Sequence, residues 1–192
     1  IWTLMKSAER RDVKSTFFKT YRSLAINPAA LDKLYSIWKG DRQIDKLSLS
    51  TNDQINLAYE LMLKYPEKRD TLKSLQIEQI DNDEKKREFR FVARALAAEQ
   101  DQRDTFFREL LEEKNREKEP WVNQALHYLH HPLRTKQSLG YIEPALEELK
   151  EVQQTGDIFF PKSWLDATLW GHSSQEAANV VRRFLENNPD YT

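Results

Sequence analysis

The sequence has no cysteine, few glycines and no long apolar run, and each absence excludes a class of protein. Without cysteine, the chain has no disulfides, thiol nucleophiles or cysteine-based zinc sites. Its four glycines are too scattered for a GxxxxGK(S/T) phosphate loop or a GxGxxG dinucleotide loop. No stretch reaches the roughly 18 apolar residues of a membrane span, and no basic region leads into a signal-peptide core.

Neither sign of charge is in excess. Lys and Arg number 30 and Asp and Glu number 31 among 192 residues, which gives a net charge of −1. Proteins that bind nucleic acid or anionic membranes gather surplus Lys and Arg on one face, so this balance predicts neither partner. The opening residues IWTLMKSA have the pattern of the middle of an amphipathic helix. We therefore expect a fragment of a longer protein, and the compartment of that parent stays open.

Helix signals recur along the chain, whereas strand signals are nearly absent. Apolar residues repeat at three-four spacing, and no Asn-Gly or Asp-Gly hairpin turn occurs. Thr51 with Gln54, and Ser173 with Glu176, match the capping-box pattern of helix N-termini. The glycines fall where an apolar period breaks, as expected just past helix ends. The sequence predicts an all-α fold of about ten helices joined by short turns.

The spacing of these helices favours a repeat architecture. Helix pairs begin near residues 51, 82 and 118, within the range of helix-turn-helix repeats, although no repeat consensus is present. Short connections favour antiparallel neighbours that stack into a layer. We predict one helical-repeat domain over residues 1 to 192, a HEAT-like or armadillo-like α-α superhelix. A compact all-α bundle is the alternative.

The tryptophans are expected in the core, and a segment of mixed charge is expected at the surface. Trp2, Trp38, Trp121 and Trp164 fall on apolar helix faces, which predicts that they pack in the core. The segment EEKNREKEP, residues 112 to 120, mixes charge signs at i, i+4 spacing. Such a pattern is typical of a solvent-exposed helix end.

The segment HYLHHPLRTKQS, residues 127 to 138, holds three of the four histidines. At about 100° per residue along a helix that starts near Trp121, His130 lies on the opposite side from the apolar face and away from His127 and His131. One helix therefore cannot direct all three rings at one ion, and Pro132 disturbs the helical geometry of His131. The chain also has no HExxH pair. We interpret the segment as a helix end, where cationic side chains suit the negative end of the helix dipole.

Residues 120 to 192 resemble the C-terminal end of bacterial zinc aminopeptidases of the aminopeptidase N type. The resemblance is carried by YLHHPLR at 128 to 134, TGDIFFPKSWLDATLWGH at 155 to 172 and VRRFLENNPDY at 181 to 191. Residues 1 to 119 carry weaker signatures, such as LYSIWKG at 34 to 40. In that family, the zinc-binding HExxH helix and the GxMEN motif belong to an upstream catalytic domain. The resemblance therefore transfers no catalytic or metal-binding residue to this chain.

The resemblance implies a non-catalytic helical-repeat domain that closes a chamber over the catalytic domain of the same parent and restricts which peptides enter. Zinc would belong to that catalytic domain, and this chain alone should be inactive. Cations on the chamber wall could bind a peptide carboxylate, and our candidates are Arg134, Lys136 and His131. The alternative is a free-standing helical-repeat module that binds a protein or peptide. The expected partners exclude nucleic acid and membranes.

Overall fold

The computed structural model describes residues 1 to 191, and this range is α-helical with short turns. Within it there are thirteen α-helices and no β-strand, apart from one isolated bridge between Ile44 and Leu47. The all-α prediction is therefore confirmed. The helices are α1 (Trp2–Ser7), α2 (Arg11–Leu24), α3 (Pro28–Trp38), α4 (Thr51–Lys64), α5 (Arg69–Gln79), α6 (Asp83–Arg94), α7 (Gln100–Leu110), α8 (Glu119–Leu129), α9 (Thr135–Ser138), α10 (Ile142–Glu147), α11 (Leu149–Thr155), α12 (Phe160–Leu169) and α13 (Gln175–Asn187).

The chain divides into two compact units, Ile1–Phe89 and a carboxyl-terminal unit that begins at Arg90. In the first unit, helices adjacent in the chain pack together: α1 against α2, α3 against α4, and α4 against α5. In the second, packing also joins distant helices, because α8 lies against α12 and α10 against α13. The single repeat domain and its superhelical arrangement stay predictions.

Two predicted helix caps are displaced by one residue. The N-cap of α4 is Ser50, whose backbone is extended and whose hydroxyl accepts a hydrogen bond from Asp53 N at 3.1 Å. Asp53 in return accepts from Ser50 N at 3.0 Å, so the capping box is Ser50 with Asp53 and Thr51 is already helical. Likewise α13 is capped by Ser174, which accepts from Ala177 N at 3.2 Å. Both positions are Ser-Thr or Ser-Ser pairs, whose members satisfy the same pattern.

The prediction that tryptophans pack in the core is confirmed for Trp38 and Trp164. Trp38 is 2% exposed and its indole N–H donates to Gln76 Oε1 at 2.7 Å. Trp164 is fully buried and donates to the carbonyl of Ala145 at 2.9 Å. Trp2 and Trp121 are half-buried. These partners satisfy the polar edge of each buried indole, as a buried tryptophan requires.

The prediction of solvent exposure for residues 112 to 120 holds for most of the segment, but it is wrong for Arg116. The segment forms a single turn of 3-10 helix at Glu113–Asn115, and Arg116 is only 4% exposed. The i, i+4 charge pattern could not reveal this, because the partners that bury Arg116 lie on α11 and α12.

Candidate functional site

Two segments of the carboxyl-terminal unit interlock where α8 and α12 end. Residues 127 to 134 comprise the end of α8 and the turn after it, and residues 168 to 172 comprise the end of α12 and the turn after it. We call the region where these two segments meet the joint. The Trp170 ring stacks on the imidazole of His127, with centroids 3.7 Å apart and planes 3° from parallel. Its indole N–H donates to the carbonyl of His127 at 3.0 Å. His131 meets the same ring edge-on at 5.5 Å.

Gly171 lets the two backbones of the joint approach each other closely. A Cβ atom at this position would overlap the carbonyl oxygen of His130 and would lie 3.0 Å from its carbonyl carbon. It would also lie 3.1 Å from Pro132 N. All three obstacles are backbone atoms and cannot rotate away, so the joint requires glycine here.

The centre of the joint is a buried pair of histidines. His130 is fully buried, and its Nδ1 lies 2.9 Å from Nε2 of His172. Nε2 of His130 is also buried and has no hydrogen-bond partner. Since an orphaned buried N–H is rarer than an orphaned acceptor, we infer that His130 carries its proton on Nδ1 and donates it to His172.

Both rings of this pair are neutral at pH 7. Burial, followed by the proximity of His172, lowers the pKa of His130 to about 3. Burial also lowers the pKa of His172. The predicted helix end is confirmed, because α8 ends at Leu129, but the interpretation of His130 as a cationic side chain facing away from the core is wrong. Val122 and Leu126 are buried as well, and they extend the apolar arc of α8 to within about 40° of His130.

Ser138 also approaches the pair, but the arrangement does not form a nucleophilic site. Its hydroxyl lies 3.4 Å from His172 Nε2 and donates to the carbonyl of Arg134 at 3.1 Å. Ser138 is fully buried. A hydroxyl nucleophile needs both an aligned base and access to substrate, and this one has no access. The contact therefore stabilises the turn around α9.

A second polar network adjoins the histidine pair, because the Tyr141 ring meets the His130 ring edge-on. The Tyr141 hydroxyl donates to Asp104 Oδ1 at 2.5 Å, and Gln100 Nε2 donates to both of these oxygens at 2.8 and 2.6 Å. The hydrogen bond from Tyr141 lowers the pKa of Asp104, while burial and then the Asp104 contact raise the pKa of Tyr141. Arg103, 4% exposed, donates to Gln100 Oε1 at 2.5 Å and to the Ala97 carbonyl at 2.7 Å. The network fixes α7 to the turn before α10.

The three candidate substrate contacts have different surroundings. The Arg134 guanidinium is half-buried and donates to the carbonyls of Ala95 at 2.6 Å and Ala97 at 3.5 Å, just past the end of α6. His131 accepts a hydrogen bond from Leu133 N at 3.2 Å and packs on Trp170. Lys136 is exposed on α9. The structure thus places Lys136 at the surface, whereas the Arg134 guanidinium binds backbone carbonyls of the same chain. A substrate role for any of the three stays a prediction.

Sequence reasoning missed the residues that matter most to the joint: His172, Gly171 and Ser138. His172 is 42 positions from His130, and no local periodicity relates them. The available signal was the co-occurrence of YLHHPLR and LWGH among the segments of the resemblance. Those two segments supply the opposite sides of the joint.

The histidine pair should make stability depend on pH. Because the folded-state pKa of His130 lies below the ordinary value of 6.5, the unfolded chain takes up the proton first. The stabilisation is complete above about pH 6.5 and is lost as pH falls toward the folded pKa. We expect the free energy of unfolding to be about 2 kcal/mol lower at pH 5 than at pH 7 from this group alone. Urea unfolding at several pH values measures it.

Two variants separate this effect from other titrations. His130→Asn should flatten the slope between pH 5 and pH 7, a range in which most carboxylates stay ionised. His127→Phe removes another imidazole but keeps an aromatic ring to stack on Trp170, so it should keep the slope. Equal slopes in the wild type and His130→Asn would contradict the assignment.

Comparison with known proteins gives no further identification: no family model matches the chain, and no curated protein sequence matches it. Within residues 1 to 191, no group of three or more His, Asp or Glu side chains is arranged to hold a metal ion. No helix in the same range is long and apolar enough to cross a membrane.

Proposed function

We propose that this chain is the C-terminal helical-repeat domain of a zinc-dependent aminopeptidase of the aminopeptidase N type. In this role it closes the chamber over the catalytic domain of its parent and limits which peptides reach the zinc. The parent removes N-terminal residues from peptides, and the chain itself contributes no catalytic group. The HEAT-like or armadillo-like superhelix belongs to this proposal.

The proposal is supported by the segments in which the resemblance lies. YLHHPLR and the LWGH ending of the second segment pack together, with Gly171 against the His130 backbone and Trp170 against His127. These four residues contact one another, which gives a structural reason for the two segments to occur together in one chain. The third segment, VRRFLENNPDY, contributes Phe184 and Tyr191 to the core between α10 and α13. All three segments therefore specify one packed unit.

The proposed chamber wall makes a kinetic prediction for Lys136. Lys136→Ala in the full-length parent should raise KM for peptides about fivefold, because one charge-assisted contact to the peptide carboxylate is lost. A small aminoacyl chromogenic substrate lacks that carboxylate and should show unchanged kinetics. Arg134→Ala should raise KM for peptides too, with an added loss of stability from the released Ala95 and Ala97 carbonyls. Identical kinetics of Lys136→Ala and wild type on peptides would remove Lys136 from the wall.

The coding sequence upstream of the codon for Ile1 tests the proposal as a whole. It should encode HExxH and GxMEN motifs in the same reading frame. Their absence would instead favour a free-standing helical-repeat module that binds a protein or peptide. The isolated chain with added zinc should not hydrolyse an aminoacyl chromogenic substrate, and chelator-sensitive hydrolysis would overturn the proposal.

A further inference from the structure

A cleft in the amino-terminal unit lies outside the three segments of residues 120 to 192 that carry the resemblance, although Ile37 and Gly40 of its lining belong to the weaker signature at 34 to 40. It has a volume of about 660 Å³ and is formed by the start of α2, the end of α3 and the loop that leads to α4. This volume falls in the range of small-ligand sites, about 300 to 1,000 Å³. Its apolar lining comes from Ile37, Ile44, Leu47 and Leu49, and its polar rim includes Arg11, Arg42 and Lys46.

The loop that forms the cleft has a defined shape. Gly40, just past α3, has a φ of 87°, and Lys46 has a φ of 60°, which is unusual for a residue with a side chain. Lys46 lies in a tight turn closed by the antiparallel bridge between Ile44 and Leu47. A left-handed conformation at a non-glycine residue costs roughly 1 kcal/mol, so the surrounding contacts must hold the turn in place.

The three cations of the rim have no internal counter-charge. Within residues 1 to 191, no carboxylate lies at ion-pair distance from Arg11, Arg42 or Lys46. The neighbouring carboxylates are already engaged: Asp12 with Arg10 at 2.5 Å, Asp41 with Lys39 at 3.2 Å, Asp45 with the buried Lys14 at 3.6 Å, and Asp53 in the α4 cap. Asp45 also lines the cleft, so the lining carries three cations and one carboxylate and has an excess of positive charge, although the chain as a whole is nearly neutral.

The lining distinguishes among anionic ligands. It contains no aromatic side chain, and the Trp2 ring near Arg42 is already in contact with Arg42 at 6.0 Å and Lys33 at 5.4 Å, so the cleft offers nucleobases no open stacking surface. The nearby N-terminus of α4 is occupied by the Asp53 carboxylate, which leaves it unsuited to phosphate. The cleft combines an aliphatic lining with guanidinium and ammonium groups at its rim. This combination suits a peptide that alternates aliphatic and carboxylate side chains.

We propose that this cleft binds a short acidic peptide segment, with carboxylates on Arg42, Lys46 and Arg11 and an aliphatic side chain against Ile44 and Leu47. The site is independent of the proposed function, because it uses neither the joint nor a catalytic domain. The ligand is an internal segment of a partner protein, and a blocked synthetic peptide, which has no charged termini, represents it.

Isothermal titration with two blocked pentapeptides tests the site on the chain as it stands. The acidic probe is acetyl-Leu-Glu-Ile-Glu-Leu-amide, and the neutral probe has Gln in place of Glu. The acidic probe should bind at least about tenfold more tightly than the neutral one, with affinity that falls as salt is raised from about 50 to about 500 mM. Equal binding of both probes, or no binding of the acidic probe at millimolar concentration, would overturn the proposal.

Variants of the exposed cations locate the binding. The double variant Arg42→Gln with Lys46→Gln should weaken the acidic probe at least about tenfold, and Arg11→Gln alone should weaken it less. Lys73→Gln, at an exposed position on α5, is the matched control and should bind as the wild type does. If Lys73→Gln weakened binding of the acidic probe equally, the effect would come from net charge, and the cleft would be rejected as the binding site. An oligothymidylate that bound as tightly as the acidic probe, with the same variant dependence, would reject the peptide assignment.

Discussion

Replacing Gly171 with alanine should lower the free energy of unfolding by about 3 kcal/mol or more, because the new Cβ cannot fit against the His130 backbone. To relieve the overlap, the segment after α12 would have to withdraw from the end of α8. That movement would separate Trp170 from His127 and lengthen the hydrogen bond between His130 and His172. Several contacts would thus be lost together, which is why the expected effect exceeds that of an ordinary added methyl group. Urea unfolding at pH 7 measures the change.

Gly140→Ala is the matched control for this substitution. A Cβ at Gly140 would meet no heavy atom within 4 Å, and the residue is exposed. Its free energy of unfolding should stay within about 0.5 kcal/mol of the wild type. If the two alanine variants were equally stable, the close backbone approach at Gly171 would not exist in solution. A large loss in Gly171→Ala alone, with the pH slope of the histidine pair also reduced, would establish the joint as one cooperative element.

Local patterns were sufficient to predict the helices but not their exact ends. The three-four spacing of apolar residues and the positions of proline and glycine predicted the all-α fold; Pro66, for example, lies two residues after the end of α4, where a proline stops a helix. The caps were displaced by one residue at Ser50 and Ser174, because adjacent hydroxyl residues satisfy the same pattern and only the backbone dihedral angles distinguish them. Similarly, apolar residues at three-four spacing over residues 141 to 152 predict one helix, but the structure divides it at Glu148 into α10 and α11.

Whether a single polar residue is buried could not be predicted from its neighbours in the sequence. His130 looked exposed from its helical angle, yet His172, 42 residues later, and Phe107 and Tyr141 enclose its ring. Arg116 looked like part of a solvated charged run, yet α11 and α12 bury it. Burial of this kind depends on which distant helix packs against the segment, and a helical period describes only the segment itself.

Among the charged residues of the carboxyl-terminal unit whose replacement we consider, Arg116 should have the largest effect on the free energy of unfolding. Its guanidinium donates to the carbonyls of Leu110 at 3.1 Å and Leu111 at 2.7 Å, at the end of α7. It also forms an ion pair with Glu151 and lies 5.7 Å from the centre of the Trp164 ring. Burial lowers the pKa of this guanidinium, and nearby carboxylates oppose the shift. One side chain thus joins the end of α7 to α11 and α12.

Arg116→Met should lower the free energy of unfolding by about 3 kcal/mol, because buried carbonyls lose their donors and Glu151 loses its counter-charge. Arg116→Lys should cost about half as much, since a single ammonium cannot reach the carbonyls and the carboxylate with the geometry of a planar guanidinium. Arg108→Met, on the exposed face of α7, removes a comparable side chain and should change stability by less than about 0.5 kcal/mol.

The order of these three variants distinguishes the ways in which Arg116 could act. If its aliphatic stem alone mattered, Met would substitute well and Lys would resemble the wild type. If its charge alone mattered, Lys would retain nearly all of the stability and Met would lose it. The hydrogen bonds to Leu110 and Leu111 predict a graded series, with Arg most stable, Lys intermediate and Met least stable. A Lys variant as stable as the wild type would show that the carbonyl contacts contribute little.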